Sequence, residues 1–544
     1  MAWRWKLTEL TRRMVSGPTE ENVNFVHFDN LEDGGKYQGT GEVVCLEELG
    51  PQKLNNGGLQ PQEGGAAGAG TGAGTSTGAG ASAATAPPEG TGEGAVVGEG
   101  AGDGDSEPLT RPGEVVAELP KRIINPEVHK PKITAWDAGW NVTTVIQGMF
   151  VLSLPYSVVH GGYWSIIAII FVAYVCAYTS KVLVQCLYEE NEKGERIRVR
   201  DSYVEIAQAV WGEKTGSRII SVAQFIELTM ICILYIVVSG NLLVNSFPHW
   251  PIPEQGWSII STAFLVPCAF LRHLKGVSRI SFYCTIVHLL INACIIGYCF
   301  SRAPQWAWDH VTFYINVKMF PVSLGVIVFS YTSQIFLPSL EGNMENRSNF
   351  ITMVNWTHIT AGIFKSIFAY ICFLTWAETT QEVITDNLPN AAFRALVNVL
   401  LTAKALLSYP LPYYQAVELI ERDFFQGHDL TRFPSCYATD GMLKVWALGV
   451  RCLLVVGTLL MAVYIPHFAL LMGFIGSFTG TLLSFVCPCW FHMKLKWDQI
   501  SWKIRIWDCI VIALGTTCGL IGIYYSLEGL IEKFRHDLGY DLND

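Results

Sequence analysis

From residue 135 onward the chain is a succession of long apolar runs with short polar interruptions. A run of about 20 apolar residues is what a bilayer crossing requires. Eleven such segments are predicted: 135–158, 162–187, 218–245, 256–271, 278–301, 318–341, 351–376, 391–418, 443–464, 466–490 and 506–529. The fourth is short, and little more than Pro466 separates the ninth from the tenth. The pattern therefore predicts an all-α membrane protein. Ahead of these runs all periodicity disappears. From Gly64 to about Gly104 nearly every residue is Gly, Ala, Thr, Ser or Glu, and no Lys or Arg stands between Lys53 and Arg111. Such a composition cannot bury enough apolar surface to offset the entropy of ordering. The expected organisation is a disordered tail over 1–133, a membrane domain over 134–532 and a short tail over 533–544. The first residues, MAWRWKLTELTRRM, contain no apolar stretch of signal-peptide length.

Composition narrows the function classes. Half of the 544 residues are hydrophobic and only 15% are charged, against about 25% in soluble domains. The formal net charge of −10 is misleading, because residues 1–133 hold 11 basic and 19 acidic residues and the remainder is nearly neutral. A nucleic-acid binder needs a basic face, and none is present. A soluble enzyme is excluded on the same composition. The cysteines fall mostly inside apolar runs, such as Cys176, Cys232, Cys284, Cys294 and Cys372, where free Cys serves as a small hydrophobe. No His, Cys, Asp or Glu grouping has metal-ligand spacing, and no cofactor is expected. The N-x-S/T matches at Asn141, Asn346 and Asn355 are read as chance.

Loop charge predicts orientation, since Lys and Arg accumulate on the cytosolic side. One set of loops carries Lys193, Arg196, Arg198, Arg200, Lys214, Arg272, Lys275, Arg279, Arg347, Arg422, Arg432, Lys494, Lys496 and Lys503. The opposite set carries Arg302, with Glu378, Glu382 and Asp386 in its 377–390 stretch. This places the N-terminus in the cytosol and the C-terminus on the far side.

Two segments are interrupted at corresponding places. The first reads Gln147-Gly148-Met149-Phe150-Val151-Leu152-Ser153-Leu154-Pro155, and the sixth reads Phe329-Ser330-Tyr331-Thr332-Ser333-Gln334-Ile335-Phe336-Leu337-Pro338. Freed backbone groups at membrane depth are tolerated where they line a cavity. A pair of broken spans in equivalent positions of two half-repeats points to a transporter's binding site. The implied architecture is a 5+5 inverted repeat with broken helices 1 and 6 and an eleventh helix appended. Two charges lie deep in apolar runs, where they are costly and functional by default. Glu227 sits near the middle of the third segment and Lys404 near the middle of the eighth, four residues before Ser408. Either the two neutralise each other or one titrates during transport. Lys181, Lys318 and Arg451 lie near segment ends and are expected to snorkel. His288, His358 and His467 are read as hydrogen-bonded packing residues.

With these residues in view, the membrane domain resembles the amino acid/auxin permease branch of transporters. The matching stretches run from about 133 to 532: AWDAGWN, IQGMFVLSLPYS, CLYEENE, RVRDSYV, CILYIVVSGNLLVNSFP, IVFSYTSQIFLPSLEGNM, EVITDNLP, AKALLSYPLP, YIPHFALLMG and SLEGLIE. The resemblance implies the fold of amino acid–polyamine–cation transporters and residence in the synaptic vesicle membrane, with a luminal C-terminus. It implies loading of GABA and glycine at the expense of the gradient made by the vacuolar proton pump. Proton antiport and chloride entry with the substrate both remain open. Relatives commonly carry a second Gly where Phe150 stands, and sodium-coupled ones carry Asn where Thr144 stands. Together with Lys404, taken to replace the cation, these departures argue against a sodium site. The candidate substrate residues are Gln147, Gly148, Met149, Phe150, Glu227, Ser330, Tyr331 and Thr332. Backbone N–H groups at Gly148–Phe150 and Ser330–Thr332 are expected to hold the carboxylate, and Gln147, Tyr331 or Glu227 the amine. Thr144, Lys404 and Ser408 are the candidate ion-coupling residues. Two alternatives share the scaffold: a proton-coupled symporter of the lysosome or plasma membrane, and an amino acid sensor that signals through its tail.

Overall fold

The computed structural model describes residues 133–537, apart from 193, 271–274, 426–435 and 437–443. The expected disordered tail, and the last residues of the C-terminal one, lie outside the described residues. Helix α1 (Ala135–Ile146) starts on Thr134, whose hydroxyl accepts the N–H of Asp137, satisfying one of the orphan donors of a helix start. It stops at Gln147, Gly148 is extended (φ −66°, ψ −175°), and a 3-10 turn covers Met149–Ser153. Helix α2 (Leu154–Gln185) then begins with Pro155 in its first turn, where a missing N–H costs nothing. Gly162 (φ 50°, ψ −129°) turns α2 sharply, so it carries the end of the first expected segment and nearly all of the second. A side chain there would meet Thr312 O at 2.0 Å, so both backbone and space require glycine.

The sixth segment behaves alike. Helix α7 (Met319–Phe329) ends, residues 330–336 are irregular, and α8 (Leu337–Gly342) restarts with Pro338 in its first turn. Both halting points expected from sequence are therefore real interruptions, each resumed at a proline. The remaining elements, in order, are strands β1 (Tyr188–Glu190) and β2 (Arg196–Arg198), an antiparallel hairpin, then α3 (Tyr203–Trp211) and α4 (Glu213–Ser246). Helices α5 (Glu254–Ala263) and α6 (Lys275–Ser301) precede α7; α9 (Phe350–Trp376), α10 (Ala391–Ser408), α11 (Pro410–Phe424) and α12 (Val445–Tyr464) follow α8. The chain ends with α13 (Phe468–Ile475), two π turns over 476–486, α14 (Cys487–Leu495) and α15 (Trp502–Asp537).

Among the described residues, seven helical stretches are long and apolar enough to cross a membrane. Of the other expected segments, the first and sixth are interrupted, the fourth is kept short, and the fifth lies within the continuous helix α6. Position within the bundle follows burial: 78% of the apolar window of Phe468–Leu495 is buried, against 28% for Val445–Tyr464 and for Trp502–His536. The former is central and the latter two peripheral. Ile170 and Tyr174 on α2, Ile359 and Ile363 on α9, Leu453 on α12 and Leu520 on α15 all point outward, as lipid-facing positions must.

The center is packed through glycine. A Cβ on Gly476 would lie 2.0 Å from Gly325 O, and one on Gly325 would lie 2.2 Å from Gly473 O. Helix α7 thus meets the α13 stretch backbone to backbone, as small residues permit in membranes. At the face where the chain enters α1, here called the near face, Ile133 N donates to Asn343 O at 2.8 Å and Ile133 O accepts from Glu345 N at 2.9 Å. The start of α1 and the exit of α8 are thereby tied together. Arg198 of the hairpin closes on the same place, with ion-pair contact to Glu341 at 3.2 Å and donation to Pro338 O at 2.8 Å. Arg451 does not snorkel: it is 4% exposed and paired with Glu421 at 2.9 Å, because a half-buried carboxylate is within reach and offsets its desolvation. Lys318, by contrast, is exposed and pairs with Glu528 at 3.5 Å. Asp508 of α15 is fully buried and accepts from Tyr178 at 2.6 Å, with His492 at 2.8 Å, which anchors α15 to α2 and α14.

Candidate functional site

A cavity of about 120 Å³ lies against both interruptions. Its wall at the first one is Asn141, Thr144, Val145, Gly148 and Phe150, and at the second Thr332, Ser333, Ile335 and Phe336. Helix α4 contributes Glu227, Ile231 and Tyr235, α6 Thr285, α8 Leu337 and Leu340, and α10–α11 Lys404, Ser408, Leu411, Pro412 and Gln415. Most of these stand on the near-face halves of their helices. The other end is shut by rings. Phe150 lies 4.8 Å from Phe329 edge-on, 5.6 Å from Tyr235 and 6.3 Å from Phe468. The ring that replaces the expected second glycine is therefore the floor of the cavity.

Seven of the eleven sequence-predicted residues line this space: Thr144, Gly148, Phe150, Glu227, Thr332, Lys404 and Ser408. Glu227, 2% exposed, lies within hydrogen-bonding reach of the Thr332 and Thr479 hydroxyls, and its second carboxylate oxygen is buried without a partner. Such an acceptor is costly unless something donates to it. Lys404 faces the same cavity from α10, with the fully buried His288 of α6 beside it and near Gly148. Ser408 is hydrogen-bonded to Tyr235. The Thr144 hydroxyl is buried and makes no hydrogen bond.

The other four have different places. Gln147 and Met149 are buried but outside the cavity wall. Ser330 and Tyr331 also stand outside the cavity wall. The N–H groups of Ser330, Tyr331 and Thr332 donate to Val326, Val328 and Phe329 carbonyls at 3.1, 2.9 and 3.2 Å, closing the last turn of α7, so none is free for a carboxylate. The side chains of Ser330 and Tyr331 meet Lys365 instead. This lysine of α9 is fully buried, donates to the Ser330 hydroxyl at 3.1 Å and to its carbonyl, and lies 3.6 Å over the Tyr331 ring. Gln334 pins the far side of the interruption, donating to Thr179 at 3.3 Å and accepting from Ser484 at 2.7 Å and from Ser333 N at 3.0 Å. Lys365 was legible by the rule that singled out Lys404, a cation in mid-run, whereas Gln334 carried no such signal.

At the first interruption the N–H groups remain available in kind. Met149 and Phe150 open a new 3-10 turn after an extended Gly148, and the first donors of a helical turn have no partner upstream. Unwound backbone, a buried carboxylate with a vacant oxygen and a buried ammonium converge on one small, mostly apolar space between helices. Such a site defines a membrane transporter of a small polar solute rather than a catalyst. Residues 131–531 match the family model described as transmembrane amino acid transporter protein, and the chain belongs to that family. It is 59% identical over 412 residues to the vesicular inhibitory amino acid transporter of Xenopus tropicalis, covering 75% of this chain and 79% of the frog protein. The human protein of that name is 58% identical over 409 residues, at 75% and 78% coverage. The vesicular GABA transporter of Caenorhabditis elegans is 43% identical over 404 residues, at 74% and 81%.

Proposed function

We propose that this chain loads GABA and glycine into synaptic vesicles by alternating access around its two interruptions, in a 5+5 inverted repeat of eleven spans. The near face is then cytosolic, as its basic loops require, and the far face and C-terminus are luminal. The observation that carries the reading is the vacant, buried oxygen of Glu227 in the same cavity as the unwound segment at Gly148. A zwitterion supplies what each lacks: its carboxylate meets the N–H groups of Gly148–Phe150, and its ammonium meets Glu227. A ω-amino group stands farther from its carboxylate than an α-amino group does, and Glu227 reaches in from a different helix. The names of the vesicular relatives support substrate and compartment.

The proton electrochemical gradient is sufficient as a driving force. Concentrating a neutral zwitterion 100-fold costs ~2.7 kcal/mol. One proton leaving across ~1.5 pH units returns ~2 kcal/mol, and a potential of ~50 mV adds ~1.2 kcal/mol. Chloride entering with the substrate would use the same potential. In either case Lys404, which lines the cavity with Thr144 and Ser408, is the fixed charge that stands in for a sodium ion. The test is radiolabelled GABA uptake into proteoliposomes of the full chain, with pH, potential and chloride gradients imposed one at a time. Uptake driven by at least one of these is expected, and Lys404→Ala is expected to change the pH or chloride dependence. No uptake under any gradient overturns the reading.

A further inference from the structure

The loop after α9, residues 377–390, covers the closed end of the cavity. Its 3-10 turn Ile384–Asn387 packs on Met149–Ser153, the turn that carries Phe150. Side chains fasten it to three helices. Glu382 accepts from the Ala469 N–H in the first turn of α13 at 3.0 Å. Asp386 accepts from Asn245 of α4 at 2.9 Å and from Asn398 of α10 at 3.2 Å. The first residue of α5, Glu254, feels the charges of both acids and holds one carboxylate oxygen buried without a partner. Three carboxylates thus converge where the loop meets the bundle. The other titratable groups around them are Tyr156 of α2, which faces Glu382 and packs against His160, Arg394 of α10, and His467 just before α13. Arg394 donates to the Asp386 and Leu388 carbonyls at 3.5 and 3.4 Å, and its charge partly offsets that of the Asp386 carboxylate. The loop is also strained at its hinge: Ala377 has φ 47° and ψ −127°, a region that glycine favours and a side chain resists.

We propose that residues 377–390 form a lid fastened by protons, Glu254 and Asp386 taking them up as the lid closes and losing them as it opens. Burial first, then Glu382 and Asp386, pushes the Glu254 carboxyl up to about 7. Burial pushes Asp386 up to about 6, against the opposing influence of Asn398, Arg394 and Asn245. A solvated carboxyl titrates near 4. Closure is therefore favoured in full below about pH 4, and the advantage is lost as pH rises through 6 to 7. The link to transport rests on the reading above: an acidified lumen would fasten the luminal lid and leave the cavity open to the cytosol for the next substrate. The lid itself does not depend on that reading.

Hydrogen exchange of the full chain in lipid nanodiscs tests it, with labelling times scaled for intrinsic exchange. The reporters are the Asp386 and Leu388 amides, which donate to Val383 and Thr385 carbonyls. Their protection is expected to be about tenfold greater at pH 5.5 than at pH 7.5. Glu254→Gln with Asp386→Asn is expected to hold protection high at both pH values. Glu254→Gln alone, a near-isosteric change, should shrink the pH effect and serves if the double variant does not fold. Equal wild-type protection at the two pH values, or an undiminished pH effect in the variants, overturns the proposal. Because the readout is lid protection, its failure is distinguishable from an absence of uptake.

Discussion

Lys365 and Ser330 are joined twice, ammonium to carbonyl and ammonium to hydroxyl, while the same ammonium lies over the Tyr331 ring. The Ser330 carbonyl belongs to the last turn of α7, where a helix leaves acceptors unmet and its dipole is negative. A lysine from α9 supplies the missing donor, and the ring adds a cation–π contact. The interruption is thus held open by a charge buried in the neighbouring helix.

Removing that charge should cripple the hinge. A hydrogen bond to a charged group contributes about 1.5–3 kcal/mol, so Lys365→Met is expected to lower the initial uptake rate by about tenfold or more. Initial rates normalised to protein in the vesicle membrane check this; unchanged rates would remove Lys365 from the hinge.

Glu227→Gln keeps the shape and the hydrogen bonds from Thr332 and Thr479 but removes the charge offered to an ammonium. GABA uptake should fall by about tenfold or more with protein abundance intact. Full retained uptake would sink its role as amine partner.

Phe150→Gly removes the floor ring that packs on Phe329, Tyr235 and Phe468. The enlarged cavity should admit bulkier amino acids, read as stronger inhibition of GABA uptake by leucine in the variant than in the wild type. An unaltered inhibition pattern would show that the ring does not limit substrate size.

Gly476→Ala forces a Cβ to within 2.0 Å of the Gly325 carbonyl. Overpacking costs about 1–3 kcal/mol, so the detergent-solubilised variant should melt several degrees below wild type. Gly297→Ala, where an added Cβ meets nothing within 4 Å, should melt as the wild type does.

The helical membrane architecture, both interruptions and seven residues of the cavity wall were legible in the sequence. Apolar run length responds to bilayer thickness alone, and Gly148, Pro155, Ser330 and Pro338 act on their own backbone, so local sequence carries the signal. Glu227 and Lys404 were legible because a charge in an apolar run is costly wherever it points. What a side chain points at is different. The contacts of Ser330 and Tyr331 with Lys365 were not legible in the sequence, and Arg451 read as snorkelling until Glu421 proved to be in reach. Gln334, the Asp508–His492 pair and the lid acids Glu254, Glu382 and Asp386 took their meaning from partners on other helices. Sequence by itself determined which residues must be buried in a membrane and where the helices give way. Only the tertiary structure decided which buried groups satisfy one another and which face the cavity, because those pairings join helices far apart in the chain.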